Sequence, residues 1–144
     1  RRKIALALPE FAHTAIGEAS VEEIDSINIL RASLLAMRRA FEKLPLTPDF
    51  ALIDGNHAPE LPCPCRAVVK GDQRSLSIAS ASIIAKHYRD MKMACLAEAY
   101  PDYGWESNAG YGTTRHMQAI ATIGITPHHR RSFAPVREKI LATR

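Results

Sequence analysis

The chain has 144 residues, 47% hydrophobic and 24% charged, which is enough for one domain with a substantial core and ordinary for a globular protein. Its net charge of +4 and pI near 9.2 give a mild basic bias, compatible with a polyanionic partner but not diagnostic of one. No apolar run is long enough to span a bilayer, and three cysteines supply neither a paired disulfide framework nor a zinc spacing, so a reducing, cytoplasmic location with no membrane partner is expected.

The start, Arg1-Arg2-Lys3 and a few apolar residues before Pro9, is not built like a signal peptide. Without an initiator Met it reads as part-way into a longer protein, with Arg2 to Leu8 as the last turns of a helix that Pro9 ends. Thr14 to Ala19 is a weak strand. Ser20-Val21-Glu22-Glu23 is a capping box, in which the Ser hydroxyl accepts from a backbone N–H in the first turn and the Glu reaches back. The helix it opens runs to about Lys43, with Ile24, Ile27, Leu30, Leu34, Met37 and Phe41 in one apolar stripe. Asn28 is the polar residue beside that stripe, either a satisfied packing residue or a functional one. Pro45 and Pro48 close the helix.

Phe50-Ala51-Leu52-Ile53 is a short buried strand that stops at Asp54-Gly55-Asn56. A carboxylate there suits an active site, because α/β sheets bind ligands beyond the carboxyl ends of their strands. Asp-Gly is equally a turn dipeptide whose Asp bonds its own backbone. His57 to Pro64, with three prolines, is an irregular loop. Arg66 to Lys70 carries a second buried strand, Ala67 to Val69, broken by Gly71-Asp72. Ser77 to Cys95 reads as a helix. On it Ser82, Lys86 and Asp90 share one face at i, i+4 and i+8, with Ile78, Ile83, Ile84, Met91 and Met93 on the other flank. Tyr103-Gly104-Trp105 and Gly110-Tyr111-Gly112-Thr113-Thr114 form an aromatic, glycine-rich loop. Thr113 or Thr114 caps a helix through Ile123 that Gly124 stops. Residues 126–144 form a basic, turn-rich tail with a loose helix after Val136, and 1–144 reads as a single domain without internal repeats.

Two acids stand out by context, Asp54 at a strand end and Asp90 on a helix. Carboxylates brought together from separate elements suit Mg²⁺ or Mn²⁺, which prefer oxygen ligands and can assist phosphodiester displacement. Two are too few for a complete two-metal site. Lys70, Lys86, Arg89, Arg115 and Arg130-Arg131 suit phosphate contacts, which position a nucleic acid without reading its sequence. Tyr103, Trp105 and Tyr111 could stack on a sugar or base, or could serve as core or lid packing. His116 sits in no metal motif and suits a capping or supporting role better than ligation, though a histidine can also shuttle protons near a metal. His128-His129 reads as solvated loop.

The ordered set of motifs is more specific than its parts. It comprises Glu23-Ile24-Asp25-Ser26-Ile27-Asn28-Ile29-Leu30, Leu35-Ala36-Met37-Arg38-Arg39-Ala40, Leu52-Ile53-Asp54-Gly55-Asn56 and Val69-Lys70-Gly71-Asp72. These are followed by Ser77-Ile78-Ala79-Ser80-Ala81-Ser82-Ile83-Ile84-Ala85-Lys86, Arg89-Asp90, Gly110-Tyr111-Gly112-Thr113 with His116, and His129-Arg130-Arg131-Ser132-Phe133-Ala134-Pro135. In content, order and approximate spacing this resembles bacterial ribonuclease HII over nearly the whole chain. One minor departure is Ser80, where the family usually has Ala.

The resemblance implies an α/β ribonuclease H-like fold, a mixed sheet flanked by helices. It implies metal-assisted cleavage, with Mn²⁺ or Mg²⁺, of the RNA strand of RNA–DNA hybrids and at ribonucleotides embedded in duplex DNA. The products would carry 3′-hydroxyl and 5′-phosphate ends, and the protein would be a monomer. By the same resemblance Asp54 and Asp90 match two of the family's four catalytic, metal-binding carboxylates. Tyr111 matches the tyrosine that senses the ribonucleotide junction, where the 2′-hydroxyl distinguishes RNA from DNA. Lys70, Lys86 and Asn28 match helpers in substrate binding. The family opens with a strand bearing Asp-Glu-Ala-Gly-Arg-Gly, which supplies the other two carboxylates, and this sequence does not occur here. The chain is therefore expected to begin after the first two strands, to leave the strand ending at Asp54 without its neighbour, and to be unstable or inactive alone. A non-catalytic fragment that still binds hybrid duplex is the alternative.

Overall fold

The computed structural model describes residues 1–142. They form two compact units, one of residues 1–20 and 27–87, the other of residues 21–26 and 88–142.

In the first unit, α1 (Arg2–Ala7) ends in a 3-10 turn, Leu8–Glu10, that contains Pro9, as the sequence predicts. Strands β1 (Ala51–Asp54) and β2 (Cys65–Val68) pair in parallel, with Ala51 opposite Cys65 and Asp54 opposite Val68. Ala51 N–H donates to Pro64 O (2.9 Å) and Gly55 N–H to Val68 O (3.0 Å), so the ladder extends one residue past each end. The expected β2 lies earlier than predicted. Val69 is 58% exposed and Lys70 adopts a left-handed backbone (φ 53°, ψ 43°), which ends the extended run. This parallel pair is the only sheet among the described residues, and no described strand pairs with the other edge of β1.

Thr14 to Ala19 is not a strand. Its backbone is claimed by α2 (Val21–Glu42): Lys43 Nζ donates to Ile16 O (3.0 Å) and Arg39 Nη1 to Glu18 O (2.8 Å). Between them Gly17 lies directly on the helix, where a Cβ would sit 1.9 Å from Ala36 O and 2.4 Å from Ala40 N.

Helix α2 begins after Ser20 as expected but is not one continuous helix. It breaks at Asn28 (φ 68°, ψ 166°), a backbone region that is essentially glycine-only. Asn28 Oδ1 accepts from Arg31 N–H (3.1 Å), so Asn28 caps the longer helical segment that follows. The break shifts the buried face. Leu30 of the predicted stripe is 46% exposed, whereas Ala32 is 1% exposed. Replacing Asn28 by Gly removes about 1–3 kcal/mol of backbone strain. The lost cap costs a few tenths, and the freer unfolded chain costs about 0.5–1 kcal/mol. Asn28→Gly is therefore expected to raise stability by about 0.5–1 kcal/mol, read as a higher urea midpoint.

Helix α3 (Leu76–Ala99) is longer than predicted at both ends. Ile78 of its apolar flank is buried, but Met91 is 55% exposed. In the second unit, the last part of α3 packs with α4 (Trp105–Asn108), α5 (Thr114–Thr122) and α6 (Ala134–Ala142) around Ala97, Tyr103, Trp105, Ala119, Ile120 and Val136. Thr113 caps α5 through its side chain, which accepts from His116 N–H. Tyr103 and Trp105 stack at 5.1 Å within this core rather than facing a ligand, and Tyr103 Oη donates to Gly124 O (2.9 Å). Within the basic segment after Thr126, His129 is buried, contrary to the solvated loop expected; His128 is exposed.

Candidate active-site residues

In the first unit, Asp54 ends β1 with its side chain exposed. Its Oδ1 accepts from Gly71 N–H (2.8 Å), the residue that opens the 3-10 turn Gly71–Gln73. A Cβ at Gly71 would lie 2.5 Å from Ile78 Cδ1 and 3.2 Å from Asp54 Oδ1, so this backbone comes up close against both the carboxylate and the Ile78 side chain of α3. Lys70 immediately precedes Gly71 and is exposed. Asp54 and Lys70 are thereby brought to one end of the strand pair. Lys86, on α3, and Asn28, at the break in α2, belong to the same unit.

Asp90 and Tyr111 belong to the second unit. Beside Asp90, Arg89 Nη2 donates to Ala109 O (3.0 Å), which ties α3 to the turn that carries Tyr111. That turn is stitched from within by buried Asn108. Its amide donates to Tyr103 O (2.8 Å) and Thr113 Oγ1 (3.3 Å), and its Oδ1 accepts from Gly110 N–H (2.9 Å). Tyr111 N–H donates to Asn108 O (2.8 Å), while the Tyr111 residue itself stays 66% exposed. A large aromatic held on a tightly tied turn yet left in solvent is available to a ligand.

Asn28, Lys70 and Ala109 are the non-glycine residues with positive φ among those described. Two are predicted substrate contacts and the third lies two residues before Tyr111. Strain of this kind, about 1–3 kcal/mol at each site, collects where function constrains the chain.

Two further groups come together only in the structure, although the sequence already assigns His116 a capping or supporting role. The Asp25 carboxylate accepts from Arg131 N–H (2.8 Å), Ser132 N–H (2.9 Å) and Ser132 Oγ–H (2.6 Å), fixing the Arg130-Arg131 segment. Burial acts to raise its pKa, but these bonds and the nearby Arg130 charge outweigh it and hold the carboxyl below its usual value. The pairing with residues more than a hundred positions away leaves no local signal in the sequence.

The second group is a buried histidine pair. His116 Nε2 and His129 Nε2 lie 3.1 Å apart, Trp105 Nε1–H donates to His116 Nε2 (3.2 Å), and Thr126 N–H donates to His129 Nδ1 (3.0 Å). Burial first, and His116 second, push His129 down to about 4. The unfolded chain therefore binds this proton more tightly than the folded one. The stability contributed by neutral His129 is complete above pH about 6.5 and is lost as pH falls toward 4. The slope is at most about 1.4 kcal/mol per pH unit for one proton. Urea midpoints measured between pH 7 and 4.5 should fall with acidification, and His129→Asn should flatten that fall.

For a hard divalent cation the donor type fits. Asp54 offers an exposed carboxylate oriented by Gly71 N–H, and Asp90 in the second unit is of the same donor type. Among the described residues, no three His, Cys, Asp or Glu side chains come together to hold a metal ion.

The family model described as Ribonuclease HII matches residues 1–136. Ribonuclease HII of Rhodospirillum rubrum is 58% identical over 142 residues, which cover 97% of this chain and 65% of that protein. The Paramagnetospirillum magneticum protein of the same name is 57% identical over 141 residues, covering 98% and 70%. That of Gluconobacter oxydans is 59% identical over 138 residues, covering 96% and 67%. The chain thus spans about two thirds of the length of these curated relatives. The crystal structure of the ribonuclease H2 from Pyrococcus horikoshii OT3 superposes with a TM-score of 0.66 at 19% identity, over 85% of this chain and 66% of that one, so the α/β ribonuclease H-like fold is shared.

Proposed function

From the premise that this chain belongs to the ribonuclease HII family, we propose that it carries part of the active site of an endoribonuclease acting on RNA–DNA hybrids and on ribonucleotides embedded in duplex DNA. The observation that carries the reading is Asp54, an exposed carboxylate at the carboxyl end of a parallel strand, oriented by Gly71 N–H.

In this reading Asp54 and Asp90 hold Mn²⁺ or Mg²⁺ together with the two acids of the family's Asp-Glu motif. When bound, the cation supplies positive charge at the scissile phosphate and a more acidic water. Water oxygen joins phosphorus and the bond from phosphorus to the 3′ oxygen breaks. The departing oxygen takes up a proton, leaving 3′-hydroxyl and 5′-phosphate ends. Lys70 and Lys86 contact phosphates, and Asn28 offers its amide to the backbone of the nucleic acid. Tyr111 lies against the ribose at the position of the 2′-hydroxyl. The strain at Asn28 and Lys70 supports these roles, since Gly would relieve it at the cost of the side chain. Asn28→Gly should therefore bind hybrid more weakly while being more stable. The protein acts as a monomer in the cytoplasm, as the family resemblance implies. No helix among the described residues is long and apolar enough to cross a membrane.

Asp54 and Asp90 match two of the four carboxylates that the family resemblance implies, which leaves a second reading for residues 1–144 by themselves, binding without cleavage. An assay of this chain on hybrid duplex with Mn²⁺ separates the two. The expected result is no family-like turnover, with an affinity that falls as salt rises and phosphate-bound counterions are released. Turnover at the rate of a complete ribonuclease HII would overturn the second reading. A salt-independent affinity would overturn the phosphate contacts.

A further inference from the structure

The buried histidines have an asymmetry that points outward, to Tyr111. Tyr111 O accepts from Thr113 N–H (2.8 Å) and lies 2.9 Å from His116 Nδ1. Whether His116 can donate there depends on its tautomer, and the surrounding donors decide it. Indole N–H only donates, so His116 Nε2, 3.2 Å from Trp105 Nε1, must accept. Its proton then sits on Nδ1, aimed at Tyr111 O. A backbone N–H also only donates, so His129 Nδ1, 3.0 Å from Thr126 N, accepts as well. His129 carries its proton on Nε2 and gives it to His116 Nε2 at 3.1 Å. Every bond in the chain from Thr126 through His129 and His116 to Tyr111 then has one donor and one acceptor.

We propose that His116 is the positioning residue for Tyr111, holding its carbonyl through Nδ1–H, and that His129 locks His116 in the tautomer able to do so. This rests on the reading of Tyr111 as the ribose contact. His116 itself touches no substrate. It acts on a turn whose own hydrogen bonds, through Asn108 and Thr113, leave the Tyr111 ring exposed. The network is buried: Trp105 is 3%, His116 4% and His129 6% exposed. An extra proton on His116 Nε2 would face two N–H donors, whereas one on His129 Nδ1 would face both Thr126 N–H and the Thr126 hydroxyl oxygen (2.9 Å), which can accept. The titratable groups packed around the pair are His128, beside His129 in the same turn, and Tyr103, whose ring lies 6.1 Å from His116 and 5.1 Å from His129. Neither supplies a negative charge at neutral pH that would favour the protonated pair.

Two amide substitutions divide the roles of the two ring nitrogens. Asn places an amide near Nδ1 and can keep the donor to Tyr111 O. Gln places one near Nε2 and can satisfy Trp105 and His129 but not Tyr111 O. In the full-length protein, on a duplex with a single embedded ribonucleotide, His116→Gln is expected to lose about tenfold or more in kcat with KM little changed, as displaced contacts do. His116→Asn should retain several-fold more kcat than His116→Gln. A merely structural histidine gives the reverse order, because Gln preserves the buried bonds, and that order would overturn the proposal. The ¹⁵N spectrum of the labelled wild-type protein is the second measurement. It should show His116 protonated on Nδ1 and His129 on Nε2 near pH 7.5, and the opposite tautomer at His116 overturns the proposal whatever the kinetics. If instead Tyr111→Ala cuts as well as wild type, the role of Tyr111 falls, and positioning for catalysis falls with it. The spectrum then still reports whether His116 grips the carbonyl.

Discussion

Asp54→Asn in the full-length protein should lower hybrid cleavage roughly 10³-fold or more while leaving the urea midpoint nearly unchanged. The split follows from what each oxygen of Asp54 does. Oδ1 accepts from Gly71 N–H at 2.8 Å, and an Asn amide oxygen accepts equally well, so the tie between β1 and the turn survives. What Asn cannot supply is the negative charge. A carboxylate that anchors a catalytic cation underwrites several kcal/mol of charge stabilisation in the transition state. At about 1.4 kcal/mol per factor of ten, that is at least about a thousandfold in rate. The competing role, a turn residue satisfying its neighbour's backbone, makes the opposite forecast. Asp54→Asn would then be silent in both assays, and only Asp54→Ala would register, as about 1 kcal/mol of lost stability. Activity within tenfold of wild type for Asp54→Asn would remove Asp54 from the mechanism. Asp90→Asn is expected to behave the same way on activity, and near-normal cleavage there would remove Asp90.

The sequence carried Asp54 because its signals are local. A short apolar run between Pro48 and Gly55 reads as a strand and is one, with the carboxylate at its end, although it is not the buried strand expected: Phe50 is 52% and Leu52 42% exposed, and of the run only Ile53 is buried. Local too are the signals for the Thr113 cap of α5 and the long α3. The departures are all places where a distant partner decides. Hydrophobic spacing runs unbroken from Ile24 through Leu30, so periodicity cannot detect that Asn28 leaves the helix; Leu30 then faces solvent. His129 sits among basic and turn residues, and its burial depends on Trp105 and His116, which a local reading does not consult. Gly71 reads as a strand breaker. Its close approach to Asp54 Oδ1 and Ile78 becomes visible only once β1, the turn and α3 are packed. The family resemblance supplied what local physics could not, the expectation that Asp54, Asp90 and Tyr111 serve one chemistry.

Gly17 gives the largest expected loss of stability. From sequence the glycine to guard would be Gly55, in an Asp-Gly turn, and its φ of 107° does disfavour any side chain there. Yet a Cβ at Gly55 meets nothing within 4 Å, so Gly55→Ala costs only backbone strain, about 1–2 kcal/mol. At Gly17 the obstacle is the α2 backbone itself. A Cβ would stand 1.9 Å from Ala36 O and 2.4 Å from Ala40 N, and neither atom can swing aside as a side chain could. Small residues make this seat: Ala32, Ala36 and Ala40 recur every fourth position on α2, and Ala32 is 1% exposed. Accommodating a methyl group means lifting the segment and releasing Ile16 O and Glu18 O from Lys43 and Arg39. Gly17→Ala should therefore cost about 3 kcal/mol, the upper end for overpacking. That is a large part of a domain stability of about 5–15 kcal/mol. Urea unfolding of the two variants side by side decides it. A greater loss in Gly55→Ala than in Gly17→Ala would mean that residues 14–19 are not seated on α2, and that the small-residue face of the helix is covered by something else.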